Sequence, residues 1–426
     1  MYSFLATVVI ILLLIVAIGF FNEKVSKIPY EISLMLFSFC IGIILLVTRY
    51  GLEDGGGPAQ MVESLLAIDL NDYLVTSGIL CFMLFAGSCH MRLRSFKEHA
   101  KAITLLAIGA TLLGAVFYGV LFYVVTLILG LNLNLPVCLM FGSITAPTDP
   151  IAATSILKKF NLPPNIDFLI ESESLLNDGV GVALFVCFSG MVTAQEGGGF
   201  FAVFGRELFG ALLVGCLVTV ICLPVFKKTI DPARRIFVSL LAVAAAYLLC
   251  DLFDCSGAIA SVVCGVLFSA FRNWEESVGR EMDLKRFDEF WEIMDNLLNS
   301  ILYVMLGLSI FSLFKIPYMV IVAVACIIIN LLARSGSVGA VSLFMGKLPD
   351  GYDRASFIEL LTWGGLRGGL CMALAMSTKD MLPETTYHII LGGTFAIVFF
   401  TTIIQGITIP GLYHRIERKV SRQSGQ

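Results

Sequence analysis

Apolar runs follow one another along almost the whole chain, separated by short stretches that hold most of the charge. A hydrocarbon core of ~30 Å takes about 20 apolar residues as a helix, and backbone groups inside it must be satisfied within the segment. The pattern predicts an all-α polytopic membrane protein with about thirteen transmembrane helices. The expected spans are 2–21, 31–48, 72–91, 102–129, 135–157, 165–190, 199–226, 236–252, 255–271, 289–313, 316–345, 355–378 and 385–413. The first begins Met-Tyr-Ser-Phe with no basic lead, so it is expected to span and not to be a cleaved signal. The shortest linkers fall at 130–136 and 251–255.

Basic residues give this count an independent check. Numbering from an external N-terminus, the loops after odd-numbered spans hold Lys24, Lys27, Arg92, Arg94, Lys97, Lys101, Lys158, Lys159, Lys227, Lys228, Arg234, Arg235, Arg272, Arg280, Lys285, Arg286, Lys347 and Arg354. The loops after even-numbered spans offer Arg49, Lys315 and Lys379. Basic residues concentrate on the cytoplasmic side, so the N-terminus is expected outside and the tail 415–426 in the cytoplasm. An odd count lets spans 1–6 and 8–13 be two inverted six-helix repeats joined by span 7. Interrupted helices at matching positions are the sequence pointer to that plan. Span five holds Thr145-Ala146-Pro147-Thr148-Asp149-Pro150, and span twelve holds Gly364-Gly365-Leu366-Arg367-Gly368-Gly369.

Composition agrees. The 426 residues are 58% apolar and 14% charged, with mean hydropathy +0.91, against about 25% charged in soluble domains. The net charge of −4 sits in loops and points to no nucleic-acid partner. Twelve cysteines are scattered singly with no C-x-x-C pair, which favours packing roles over a metal site or disulfides. There is no Gly-rich phosphate loop, H-E-x-x-H or G-x-S-x-G, so neither ATP-driven transport nor an enzyme is indicated, and no cofactor is expected.

The candidate chemistry lies in polar residues inside apolar spans, which are costly in hydrocarbon and mark functional positions. Pro147 frees the carbonyl of Ser143 and Pro150 that of Ala146. A cation is one partner for such oxygens. Asp149 can compensate the positive ends of half-helices, and Arg367 the negative ends. The sixth span carries Glu171-Ser172-Glu173-Ser174-Leu175-Leu176-Asn177-Asp178. At 1.5 Å per residue from Asn165, Asp178 lies about 20 Å deep, past the midpoint of the core. Glu173 and Asn177 share one i, i+4 stripe, and Ser174 and Asp178 an adjacent one. Arg334 on the eleventh span is an available partner for Glu173, which leaves Asp178 free to titrate. Glu171 is nearer the cytoplasm and is a funnel candidate. Asp295 and Asn299 are explained equally by capping, helix contacts or function, and Arg206 by snorkelling or by Glu207. His90, His99, His388 and His414 lie near helix ends or in loops.

In chain order, Thr148-Asp149-Pro150, Glu173-Ser174-x-x-Asn177-Asp178 and Gly365-Leu366-Arg367-Gly368 resemble the cation:proton antiporter-1 family. That family includes bacterial NhaP-type proteins and animal sodium/proton exchangers. The stretches Phe290-Trp291-Glu292 to Asn299-Ser300, Leu332-Ala333-Arg334 and Gln405-Gly406-Ile407-Thr408 look like it too, so the resemblance covers essentially the whole chain. It implies an antiporter fold with broken crossed helices in a core domain of roughly helices 4–6 and 11–13. A dimerisation domain of roughly helices 1–3 and 7–10 would build a homodimer. The implied function is exchange of Na+ or Li+ for H+ by elevator-type alternating access in a bacterial-type inner membrane. Asp178, Ser174 and Thr148 are then the transported ion's ligands with Asn177 beside them, Glu173 and Arg334 the structural ion pair, and Asp149 and Arg367 the charges at the helix crossing. The asparagine-aspartate pair implies electroneutral one-for-one exchange. One departure stands out: NhaP-type relatives often carry an acid in a Phe-Glu-Gly-like stretch on the third span, where this chain has Leu84-Phe85-Ala86-Gly87. A K+-preferring antiporter is therefore the alternative. A channel or solute symporter would need filter-like repeats or an organic-substrate pocket, and a hydrolase would need a histidine near the sixth-span serines.

Overall fold

Asn134, Asp231, Ser256 and Asp353 each cap the start of a helix, and proline and glycine interrupt the chain at Pro147 and around Arg367. The structure is a computed structural model and describes residues 2–51, 79–89, 100–149, 164–193, 200–279, 283–308, 318–346, 348 and 352–423. Every regular element among these is helical. In chain order they are α1 (Tyr2–Phe21), α2 (Tyr30–Gly51), α3 (Ile79–Cys89), α4 (Thr111–Ile128), α5 (Leu135–Thr145), α6 (Pro164–Thr193), α7 (Phe200–Lys228), α8 (Pro232–Leu252), α9 (Gly257–Ser277), α10 (Lys285–Leu308), α11 (Met319–Ser342), α12 (Arg354–Trp363), α13 (Gly369–Met376), α14 (Glu384–Phe399) and α15 (Gly406–Gln423). Helical turns from Ala100 lead into α4 through a π-turn at Leu105–Ala110, and a second π-turn at Phe400–Gln405 joins α14 to α15. Eight helices among the described residues are long and apolar enough to cross a membrane.

Several boundaries differ from those expected, for local reasons. The eighth span begins at Pro232, not 236, because Asp231 caps it by accepting from the Ala233 N–H at 3.1 Å. Arg235 then lies inside the first turn, where it donates to the carbonyls of Thr229 (2.7 Å) and Asp283 (2.9 Å). The ninth runs to Ser277, beyond the expected 271, since polar residues continue a helix past the apolar run. The last helix extends to Gln423, so most of the expected tail is helical. That extension is tied down: Lys419 Nζ donates to Asp353 Oδ2 at 3.1 Å.

Asp353 is the N-cap of α12. It accepts from the Ser356 hydroxyl (2.6 Å) and N–H (3.4 Å). The Ser356 hydroxyl, with Lys419, holds its carboxyl below the ordinary carboxylate range. A carboxyl lowered on folding stabilises above its unfolded value of about 3.9 and loses that contribution as pH falls through the lowered folded value. Replacing Asp353 with alanine is expected to cost about 1 kcal/mol at neutral pH. The melting-temperature difference from wild type should shrink in acid, below pH ~4; a difference independent of pH would contradict the capping account.

Two neighbourhoods of helices meet at the site. In one, α3 packs on α9 and α10, α10 on α2, and α7 on α8 and α9. Its centre is aromatic: Phe85 lies 4.6 Å from Trp291 and 5.5 Å from Phe268, centroid to centroid, and Phe226 bridges Phe268 and Phe287. In the other, α4 packs on α5 and α11, α5 on α6, α11 on α12 and α14, and α13 on α14. Here α4 and α5 approach so closely that a Cβ on Gly142 would fall 2.1 Å from the Ala115 carbonyl oxygen. Small residues permit this kind of contact between membrane helices. Across the seam, α6 touches α3, α7 and α9, and α13 touches α10.

Candidate ion-binding site

Both predicted interruptions are present and they meet. α5 stops at Thr145, and Ala146–Asp149 leave the helix. α12 stops at Trp363, and Gly364–Gly368 run in irregular conformation to α13. The segments are joined backbone to backbone, the Asp149 N–H donating to the Leu366 carbonyl at 2.8 Å. Arg367 Nη1 donates to the carbonyls of Ala146 and Pro147, the latter at 2.8 Å, and Nη2 to Asn330 Oδ1 at 3.3 Å. A cation was one expected partner for the freed Ala146 oxygen; the guanidinium takes it instead. Hydroxyls on the second π-turn fix the Arg367 backbone: its N–H donates to Thr401 Oγ1, and Thr402 Oγ1 donates to its carbonyl, both at 3.1 Å. The complementary acid, Asp149, packs against Gly368 so tightly that no side chain fits there. Gly368 is the N-cap of α13, where orphan N–H groups favour an anion. The Tyr303 hydroxyl on α10 also donates to Asp149 Oδ2.

On α6 one residue of each predicted stripe, Asn177 and Ser174, faces Thr148. Glu173 is bound by Arg334 through two parallel bonds of 2.9 Å, with 1% and 5% of the side chains exposed. Arg334 Nε also reaches the Leu361 carbonyl at 3.3 Å, so one side chain links α6, α11 and α12. Asn177 is fully buried. Its Nδ2 donates to Thr148 Oγ1 (2.6 Å) and Glu173 Oε1 (3.1 Å), and its Oδ1 accepts from the Thr148 N–H (3.1 Å). Only an amide both donates and accepts in this way; an ionised aspartate would face Glu173 as a like charge. Ser174 lies 2.9 Å from Thr148, hydroxyl to hydroxyl. Ser174 and Asn177 thus bind α6 to the broken segment of α5, and Glu173 binds it to α11.

Asp178 points elsewhere. It is half-buried and, among the described residues, receives no hydrogen bond. It lines a small cavity of ≈ 50 Å³ together with Thr148, Asp149, Gly87, Asp295, Asn299 and Gly368. The structure therefore brings Asp178 and Thr148 to one cavity and leaves Ser174 and Asn177 behind Thr148. The Glu171 side chain, the Arg206 and Glu207 side chains, Pro150 and residues 151–157 of the fifth span, and His90 and His99 lie outside the described residues. Sequence reasoning did not single out Tyr303, Asn330, Thr401 or Thr402. An i, i+4, i+8 stripe of Asp295, Asn299 and Tyr303 on α10 is the signal that could have found the first.

Buried charges on two interrupted helices, beside a cavity at membrane depth, define a secondary transporter of ions. A family model described as "Sodium/hydrogen exchanger, transmembrane" matches residues 8–414, and the chain belongs to that family. It is an integral membrane protein of a transporter family. The chain is 28% identical over 408 residues to the Na(+)/H(+) antiporter NhaP of Pseudomonas aeruginosa, covering 93% of each. It is 30% identical over 294 residues to the Na(+)/H(+) antiporter NhaH of Halobacillus dabanensis, covering 67% of this chain and 70% of that protein. Its fold is similar to that of the sodium proton antiporter MjNhaP1 from Methanocaldococcus jannaschii at pH 8. That match has a TM-score of 0.77 and 20% identity, and covers 97% of this chain and 99% of the other.

Proposed function

We propose that this protein exchanges Na+ or Li+ for H+, one for one, by competition at Asp178. The observation that carries the mechanism is the contrast among its acids. Glu173 is held by Arg334 and Asp149 accepts from Tyr303, while Asp178 receives no hydrogen bond among the described residues and faces the cavity. Desolvation disfavours a carboxylate's charged form and a bound cation favours it, so proton and cation exclude each other. Thr148 and Ser174 would add oxygen ligands to the transported cation after a small rearrangement of their mutual hydrogen bond. Helices α4–α6 and α11–α15 form the core that carries the site. Helices α1–α3 and α7–α10 form the part that stays and pairs two copies in the membrane. The N-terminus lies outside and α15 ends in the cytoplasm, as the basic loops support. No cofactor takes part.

Reconstitution tests this. In liposomes with an imposed pH gradient, Na+ and Li+ should dissipate the gradient, and K+ and Rb+ should not. K+ is included because the described residues of the third span bring no acid to the cavity: Ala86 stands in the expected place and is buried. A response to K+ alone would replace Na+ by K+ in the proposal. Steady ionic current without proton movement would indicate a channel. A turnover that follows an imposed membrane voltage would contradict one-for-one exchange.

A further inference from the structure

The described residues of the third span supply no carboxylate to the cavity; their contributors are Met83, Leu84, Gly87 and Ser88. A carboxylate nevertheless reaches the cavity from α10, in the same neighbourhood of helices. Asp295 on α10 lines it, and Asn299 one turn later donates to Asp295 Oδ1 at 3.0 Å. That bond occupies one carboxylate oxygen, and the other receives no hydrogen bond among the described residues. Capping does not account for Asp295, which sits three turns inside α10. No lysine, arginine or histidine lines the cavity among the described residues, so Asp295 has no counter-charge on its wall. An acid without a counter-ion in a low-dielectric recess attracts a cation. The same face of α10 contacts the core a second time through Tyr303 and Asp149.

We propose that Asp295 is a specificity-determining residue for the transported cation. It holds the partly dehydrated monovalent ion from the α10 side of the cavity as the ion passes to Asp178, and so sets apparent affinity. This rests on Asp178 being the exchanging carboxylate. Because α10 packs on α2 and α3, outside the proposed moving core, Asp295 acts on loading and not on the number of protons exchanged.

The test is transport by the full chain in proteoliposomes, with Na+ and Li+ varied, for wild type, Asp295→Asn, Asp295→Glu and Asp178→Asn. Asp295→Asn keeps an acceptor for Asn299 and removes the charge. Its KM for Na+ should rise about tenfold with kcat within about twofold of wild type, the signature of lost binding without lost chemistry. Asp295→Glu should restore most of the affinity. A wild-type KM in Asp295→Asn would overturn the proposal, as would a collapse of kcat at unchanged KM. Exchange that persists in Asp178→Asn would instead overturn the proposed function, so the two failures are distinguishable.

Discussion

Asparagine in place of Asp178 is expected to reduce Na+-dependent proton movement in proteoliposomes to the level of empty vesicles. The substitution keeps size and hydrogen-bonding capacity and removes the one property the mechanism needs, a charge that a proton or a cation can neutralise. Because Asp178 receives no hydrogen bond among the described residues, the change breaks no cross-link of the broken helices. The variant should fold and melt like wild type, so the loss cannot be assigned to unfolding. Isothermal titration of wild type with Na+ should release protons in a working range where the carboxyl is protonated, and the variant should release none. Exchange near the wild-type rate in Asp178→Asn would end the assignment.

Removing Arg334 should have the largest effect on stability. Its two bonds to Glu173 are buried on both sides, and its Nε serves the α12 carbonyl of Leu361. Cutting one partner from a buried pair costs about 3–5 kcal/mol, chiefly because it strands the other charge. Arg334→Ala should therefore melt well below wild type in detergent. Glu173→Gln should be milder, since the amide keeps an acceptor for Asn177 and the guanidinium keeps Leu361. The double variant Glu173→Leu, Arg334→Met should recover much of the loss, because replacing both charges by apolar side chains removes the stranded ion. A double variant as unstable as Arg334→Ala would show that the guanidinium acts mainly through the Leu361 carbonyl.

Much of the architecture is legible in the residue pattern because hydrocarbon leaves few choices. Apolar runs must be helical, and Pro147 and the glycines around Arg367 must interrupt them. The structure has both interruptions, and helical segments fall on every expected span. An intramembrane cation needs an intramembrane partner, which is why Glu173 pointed to Arg334 although they are 161 residues apart. The partners of Arg367 were harder. The loss of helical bonding near Pro147 and Pro150 marks freed carbonyls but does not say what will occupy them. That depends on how the two interruptions approach each other in space. Asp295 was ambiguous for a related reason. Its neighbours Glu292 and Asn296 are exposed, so composition alone cannot distinguish a solvated helix end from a cavity wall. The turn of α10 against α13 settles its position, and no spacing within α10 encodes that rotation. Tyr303 reads as one more aromatic in an apolar stripe until Asp149 is placed beneath its hydroxyl.

The crossing has an electrical consequence. Glu173 and Asp149 carry two negative charges, and Arg334 and Arg367 carry two positive ones, all four on the α4–α6 and α11–α15 side. They cancel one another, so the crossing itself adds no net charge beside Asp178. On the proposed one-for-one exchange, with Na+ or a proton at that carboxylate the net valence of the crossing and its ion is zero in either direction. Coupling is then set by concentration ratios alone. On that proposal, neutralising any one of the four would leave an uncompensated charge beside the ion and should make turnover respond to membrane voltage.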